Sequence, residues 1–245
     1  MTDVELKVIS KKLNTLVDKK HRLLACLPPN AACSTWQAIL LNNSGFGPMD
    51  NITMQMLHNT DILKRAGIVR LRALDGETIR SVLKTFYKFM ITRHPLERLV
   101  SAYIDKLQSG SDTVWQKNLG KIILHETHKE LAPETVNLGQ GVLFQEFIWY
   151  INEIGYHNEE HWAPISELCE PCIIDYDRIV KLETHSHDTT DIIIKKLAPT
   201  SYGTGLRKNI VMGGPKTALK SGQVVPMFHN LSSHQIILSR GSKMI

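Results

Sequence analysis

The stretch KFMITRHPLERLVSAY, residues 88–103, constrains the fold of this chain more than any other. A run rich in aromatic and apolar residues, Phe86–Thr92, ends at Arg93, and Pro95 follows. Apolar residues then fall at Leu96, Leu99, Val100, Tyr103, Ile104 and Leu107. That spacing is the i, i+3, i+4, i+7, i+8 pattern of a helix packed by one face. Pro95 suits the first helical turn, where its missing N–H has no partner to lose. A buried strand that runs straight into a helix is the unit of layered α/β folds. The carboxyl end of such a strand is where those folds hold their ligands.

The same arrangement occurs earlier. Residues 22–27 (RLLACL) read as a short buried strand closed by Pro28-Pro29, and the loop PPNAAC leads into the apolar run Ala38–Leu41. Ser34 followed by Gln37 fits a capping box, which places a helix start at Ser34. Cys172–Leu182 (CIIDYDRIVKL) is a third strand candidate, expected at the centre of the sheet. Residues 1–20 are expected to form a polar lead-in helix, residues 50–84 carry mixed helical signals broken at Gly76, and residues 108–140 read as helices with loops. Val142–Ile154 and Asp188–Leu197 read as helices, and Pro199–Gly222 as a loop rich in Gly and Lys. Strands separated by helices predict a single α/β domain with a mostly parallel sheet. The chain has 245 residues, enough for one sizeable core, and shows no linker that would divide it.

Charge and targeting signals narrow the function classes. A formal net charge of +5 favours an anionic partner, mildly. Nucleic acid is not the expected partner, because no basic helix, finger spacing or aromatic RNA-binding signature accompanies the charge. The first 22 residues are charged throughout and have no signal-peptide core, and no apolar run approaches the ~20 residues of a membrane span. Asn42, Asn51 and Asn230 each begin a glycosylation triplet, which points the other way, to a secretory chain.

Cys26, Cys33, Cys169 and Cys172 allow three fully paired connectivities, and plain buried thiols remain open. Cys169 and Cys172 have zinc-knuckle or redox spacing, with His185 and His187 nearby. A structural zinc needs four ligands, and no second Cys pair or spaced His pair is present, so no metal is expected.

Each strand-to-helix junction puts backbone N–H groups and a helix dipole at the carboxyl end of a strand, which is how α/β sheets hold phosphate. Arg93 adds a guanidinium fork suited to phosphate or sulfate. Ser101, two turns on, could bond the same anion or fill a packing contact; Arg98 could add charge or brace the loop. Arg93 could equally pair with a carboxylate, and Glu97 is expected to pair with a nearby arginine.

A strand ending in R-[HD]-P-x-x-R-L-x-S-A-Y resembles the element that binds the 3′-phosphate of the sulfate donor PAPS (3′-phosphoadenosine 5′-phosphosulfate). It looks most like the Golgi carbohydrate sulfotransferases of the chondroitin, dermatan and HNK-1 group. LACLPPNAACSTWQAIL is similar to that family's 5′-phosphosulfate loop. HWAPISELCEPCIIDYDRIVKLET resembles its acceptor-side segment, and Phe228–Leu231 with Ser232 the start of its last helix. The resemblance covers about residues 20–235 and implies a single-domain, three-layer sulfotransferase-like fold with a P-loop-like donor site. It implies that Arg93 and Ser101 hold the 3′-phosphate, and that Asn30, Ala31, Ala32, Cys33, Ser34 and Thr35 cradle the phosphosulfate. Arg207 and Lys208, in the loop GTGLRKN, would add cations or be solvated charges. The reaction also needs a base for the sugar hydroxyl. His161 has the chemistry for it, although a histidine beside tryptophan can be a packed, hydrogen-bonded residue.

The implied function is O-sulfation of a glycosaminoglycan, chondroitin-type, with PAPS as co-substrate, on the lumenal side of the Golgi membrane. Two departures oppose it: the family usually has lysine where this chain has Asn30, and often a basic residue where it has Gln37. A weak or inactive protein of the same fold, binding nucleotide or acidic glycan, is therefore the alternative. By the same resemblance residues 1–20 are expected to be a stem remnant whose membrane anchor is missing. The chain, ending at SRGSKMI, is expected to stop short of the family's closing helix.

Overall fold

In β2, Leu23–Cys26, the side chains alternate strictly between two faces of a sheet. Leu23 and Ala25 enter one hydrophobic cluster, Leu24 a second and Cys26 a third. β4, Tyr87–Thr92, does the same: Phe89 and Ile91 face the first cluster and Met90 the opposite side. A strand buried on both faces must be covered by helices on both, and that gives three layers.

The computed structural model describes residues 6, 15–48, 51–108, 114–128, 138–155, 159–184, 189 and 191–197. Five strands form one open sheet in the order β3-β1-β2-β4-β5. β1 is Thr15–Asp18, β3 is Ile68–Arg70 and β5 is Arg178–Lys181. β2 pairs in parallel with β4, and β4 with β5, while β1 is antiparallel to both β2 and β3. Only β1 therefore runs against the others, and the expected mostly parallel α/β sheet is present.

Helices α1 (Cys33–Asn43), α2 (Met54–His58) and α3 (Thr60–Arg65) cover the face that carries Phe89. Trp36 of α1 anchors this layer, 2% exposed and 4.6 Å from the Phe89 ring. α4 (Gly76–Thr85) covers the other face through Ile79 and Val82. α5 (Pro95–Tyr103), α6 (Lys121–Thr127) and α7 (Phe144–Glu153) share a separate core with Trp162. A short helix α8, Ile165–Cys169, precedes β5, and the last expected helix is helical at its described residues 189 and 191–192 and continues as a π-helical turn over Ile193–Leu197. No helix among the described residues is long and apolar enough to cross a membrane.

Several expectations need correction. The lead-in is not helical at Thr15–Asp18, which is β1, buried along its length. Its tight turn into β2 is closed by Asp18, whose carboxylate accepts from the His21 backbone N–H at 3.0 Å. Ile68–Arg70, inside the segment read as mixed helix, is edge strand β3; three residues are too few to show a period. The third strand candidate forms only at Arg178–Lys181 and lies at the sheet's edge among the described residues, not its centre. Its burial pattern agrees, with only Val180 covered.

The α1 capping box is also absent. The helix begins at Cys33 after Ala32, which takes a left-handed conformation and gives no side-chain cap. Finally, α5 does not bury its full apolar stripe, because Leu96 is 66% and Val100 40% exposed. The buried face of that helix carries Arg98, Ala102 and Tyr103 instead. A buried arginine is tolerated there because backbone carbonyls take its donors, as follows.

Candidate donor site

Between β2 and α1 the chain turns twice through left-handed backbone, at Asn30 (φ 60°) and Ala32 (φ 60°). Asparagine visits that region readily; alanine does so at a cost of about 1–2 kcal/mol. Backbone of this kind clusters where a loop has to present its N–H groups to a ligand. Here it leads into the open first turn of α1. Cys33 and Ser34 sit half-buried in that turn, with Thr35 exposed.

Two arginines grip this loop. Arg93, at the end of β4, donates from Nη1 to the Asn30 carbonyl at 2.9 Å. Its Nε is buried without a hydrogen-bond partner and lies 3.8 Å from Glu97 Oε2, so the expected Glu97 pairing is present but loose. Arg98 is 4% exposed and has three carbonyl partners. Nε reaches Pro29 at 2.9 Å, Nη1 reaches Ala163 at 2.7 Å and Nη2 reaches Glu160 at 2.6 Å. Burial lowers the Arg98 guanidinium to about 10, a value at which it stays charged at neutral pH. Arg98 therefore braces the first loop against segment 160–163 and adds positive charge beneath it.

That segment carries His161. The Asn30 amide donates from Nδ2 to the His161 carbonyl at 3.4 Å, so the candidate donor loop and the candidate base are neighbours. The His161 ring is bonded through Nδ1 to the Glu159 carboxylate and meets Trp115 edge-on at 5.0 Å. Burial pushes the Cys33 thiol up, partly offset by contacts with Ser34 and Asn30, which makes it a small protonated group and not a nucleophile. β5 contributes from the other side. Glu183, just past it, accepts from the His94 backbone N–H at 2.7 Å and holds the entry to α5. Burial works to raise the Glu183 carboxyl, but that N–H and the nearby Arg93 hold it below its usual value.

A disulfide joins Cys26, at the end of β2, to Cys169 of α8, while Cys33 and Cys172 are free. The Cys169–Cys172 spacing therefore reflects neither a zinc knuckle nor a local redox pair. Among the described residues no group of histidine, cysteine and carboxylate side chains could hold a metal ion.

A family model described as the sulfotransferase family matches residues 13–208. The chain belongs to the sulfotransferase family. Among its relatives are carbohydrate sulfotransferase 14 of Danio rerio, 37% identical over 185 residues, which cover 75% of this chain and 48% of that one. Carbohydrate sulfotransferase 8 of Homo sapiens is 33% identical over 187 residues, covering 75% and 42% of the two chains. Carbohydrate sulfotransferase 11 of Rattus norvegicus is 32% identical over 182 residues, covering 73% and 51%. The chain spans about half the length of these curated relatives. No solved structure matches it significantly.

For this sulfotransferase-family chain the site residues divide into three groups. Asn30, Ala31, Ala32, Cys33, Ser34 and Thr35 form one continuous loop and helix start, and Arg93 and His161 both touch that loop. Ser101 is half-buried on α5, on the helix that Arg93 precedes. Arg207 and Lys208 lie outside the described residues, as does the Phe228–Ser232 segment. Two contributors have partners that the sequence does not show. Arg98's carbonyl partners are 62 to 69 positions away. Glu159 is only two positions from His161, a spacing that says nothing of a contact until the turn brings it round.

Proposed function

We propose that this chain moves a sulfuryl group from PAPS to a hydroxyl of a glycan of the chondroitin type, in the Golgi lumen. The observation that carries the reading is the bond from Arg93 to Asn30. It joins the two strand-to-helix loops at the open N-terminus of α1, leaving a buried guanidinium N–H without a partner beside it. A phosphorylated donor fits this chemistry: helix N–H groups and a cationic fork both favour an anion.

In the proposed site the first turn of α1 holds the 5′-phosphosulfate, and Arg93 and Ser101 hold the 3′-phosphate. The donor supplies the sulfuryl group, and 3′-phosphoadenosine 5′-phosphate (PAP) departs with the bridging oxygen. His161 takes the proton from the sugar hydroxyl as its oxygen bonds to sulfur. Arg98, held charged below the loop, stabilises the negative charge that develops there.

A second reading has its own support. Asn30 itself brings no charge to the leaving oxygen, and its amide is engaged with the His161 carbonyl. Gln37, the other departure, is 7% exposed with its side-chain oxygen unpartnered. These features favour a slow or inactive protein that still binds nucleotide or acidic glycan.

Calorimetry with PAP, on the wild type and Arg93→Ala, tests the donor site. Loss of one charge-assisted contact should weaken binding roughly 10- to 100-fold in a variant that still folds. A folded wild type that binds no PAP would end the first reading and leave only the glycan-binding form of the second. Sulfate transfer to desulfated chondroitin then separates them: turnover supports the first, binding alone the second.

A further inference from the structure

We infer that Glu159 is a positioning residue that sets the tautomer and orientation of His161. The inference rests on the reading of His161 as the base. Glu159 holds His161 at two points. One carboxylate oxygen accepts from the His161 backbone N–H at 3.3 Å, and the same oxygen is bonded to ring Nδ1. An ionised carboxylate can only accept, so Nδ1 carries the ring proton and Nε2 keeps its lone pair. A lone pair on Nε2 is what a general base requires, and a carboxylate behind an imidazole is the usual device for holding it there.

The surroundings fix the rest of the ring. Trp115 meets it edge-on, with the two planes at 76°, which blocks rotation to that side. Trp162, next in the chain, is buried against Phe147 with ring centroids 5.3 Å apart, so the backbone of the segment cannot drift. Arg98 holds the Glu160 and Ala163 carbonyls on either side of His161, and Asn30 holds the carbonyl of His161 itself. The His161 side chain is 16% exposed and that of Glu159 24%, so water competes only weakly for the pair. Packing alone would need none of this polarity. A histidine wedged between two tryptophans would be satisfied by a single carbonyl.

The test is ring-nitrogen NMR on the 15N-histidine-labelled 245-residue chain, read beside steady-state kinetics. The His161 signals are assigned by their loss in His161→Gln. The wild type should show a protonated Nδ1 and a bare Nε2. Glu159→Ala should mix the tautomers and lower kcat by ~10- to 1,000-fold, part of the ~10²–10⁴ that a positioned base contributes. KM for the donor should stay within about twofold, because the contacts to the donor loop come from Arg93 and Arg98. Glu159→Gln, whose amide oxygen still accepts from Nδ1, should recover the tautomer and most of kcat, and it covers the case in which the alanine variant fails to fold. An unchanged tautomer in folded Glu159→Ala would overturn the inference. If His161→Gln itself retained wild-type kcat, the base assignment would fall instead, whatever the tautomer did.

Discussion

The Arg93 guanidinium bonds the Asn30 carbonyl across 63 positions of sequence, and through that contact the end of β4 meets the loop that follows β2. The two strands are parallel neighbours, with Cys26 opposite Met90, so both loops leave the sheet at the same, carboxyl end of its parallel strands. Each loop by itself offers one helix N-terminus. Together they bring two helix N-termini and the Arg93 guanidinium to the backbone of Asn30.

Arg98 should prove more important to stability than a charged residue usually is. Arg98→Lys keeps the charge but replaces a planar fork by a single ammonium, which cannot serve three carbonyls in different directions. At least one buried carbonyl is then left bare, at ~1–3 kcal/mol. We expect a loss of about 2–4 kcal/mol in urea denaturation, with weaker PAP binding because the Pro29 carbonyl is released. Unchanged stability would show that the three bonds are replaceable by water.

Asn30→Lys should raise turnover. A positioned donor in the transition state is worth ~10²–10³ in rate. The new side chain has to accept φ 60°, which asparagine tolerates better, so a stability loss of about 1 kcal/mol should accompany the gain. Sulfate-transfer kinetics and a melting curve on the same preparation check both halves. No gain in rate would mean that the missing charge does not limit this protein.

The Cys26–Cys169 bridge closes a loop of 143 positions, long enough for a large entropic effect on the unfolded chain. Cys26→Ala with Cys169→Ala should cost ~2–5 kcal/mol in chemical denaturation. The donor site should suffer as well, since Cys26 ends the strand that feeds the loop. A double variant as stable as the wild type would show that packing around α8 is sufficient.

Tyr176 supplies an alkaline signature. Burial pushes its phenol well above the ordinary 10, aided by Glu170, and its hydroxyl donates to the Cys169 carbonyl at 2.7 Å. The folded state thus holds this proton more tightly than the unfolded state does. The contribution is complete below pH 10 and falls as pH rises beyond it, because only the unfolded chain gives up the proton there. Melting temperature against pH should therefore fall less steeply above pH 10 in Tyr176→Phe than in the wild type. Parallel curves would contradict the shift.

Local chemistry was readable wherever it depends on neighbours in sequence. The apolar run Leu23–Cys26 closed by prolines, the proline that opens α5 and the apolar run of β4 follow from residue type and backbone constraint alone, and they place the two strand-to-helix junctions. The two short strands on the antiparallel side of the sheet were not readable. β1 and β3 have four and three residues, and what makes them strands is pairing with each other and with β2. The segment of β5 looked central, yet only its last part, Arg178–Lys181, forms a strand, and that strand pairs on one side alone among the described residues. Arg98 shows the same limit most clearly: a charge or a brace for the loop could be read at its position, but its burial is possible only because Pro29, Glu160 and Ala163 arrive from elsewhere with bare carbonyls. Residue types and their spacing establish which groups are available. Which of them meet depends on long-range packing, whose partners leave no periodic trace in the chain.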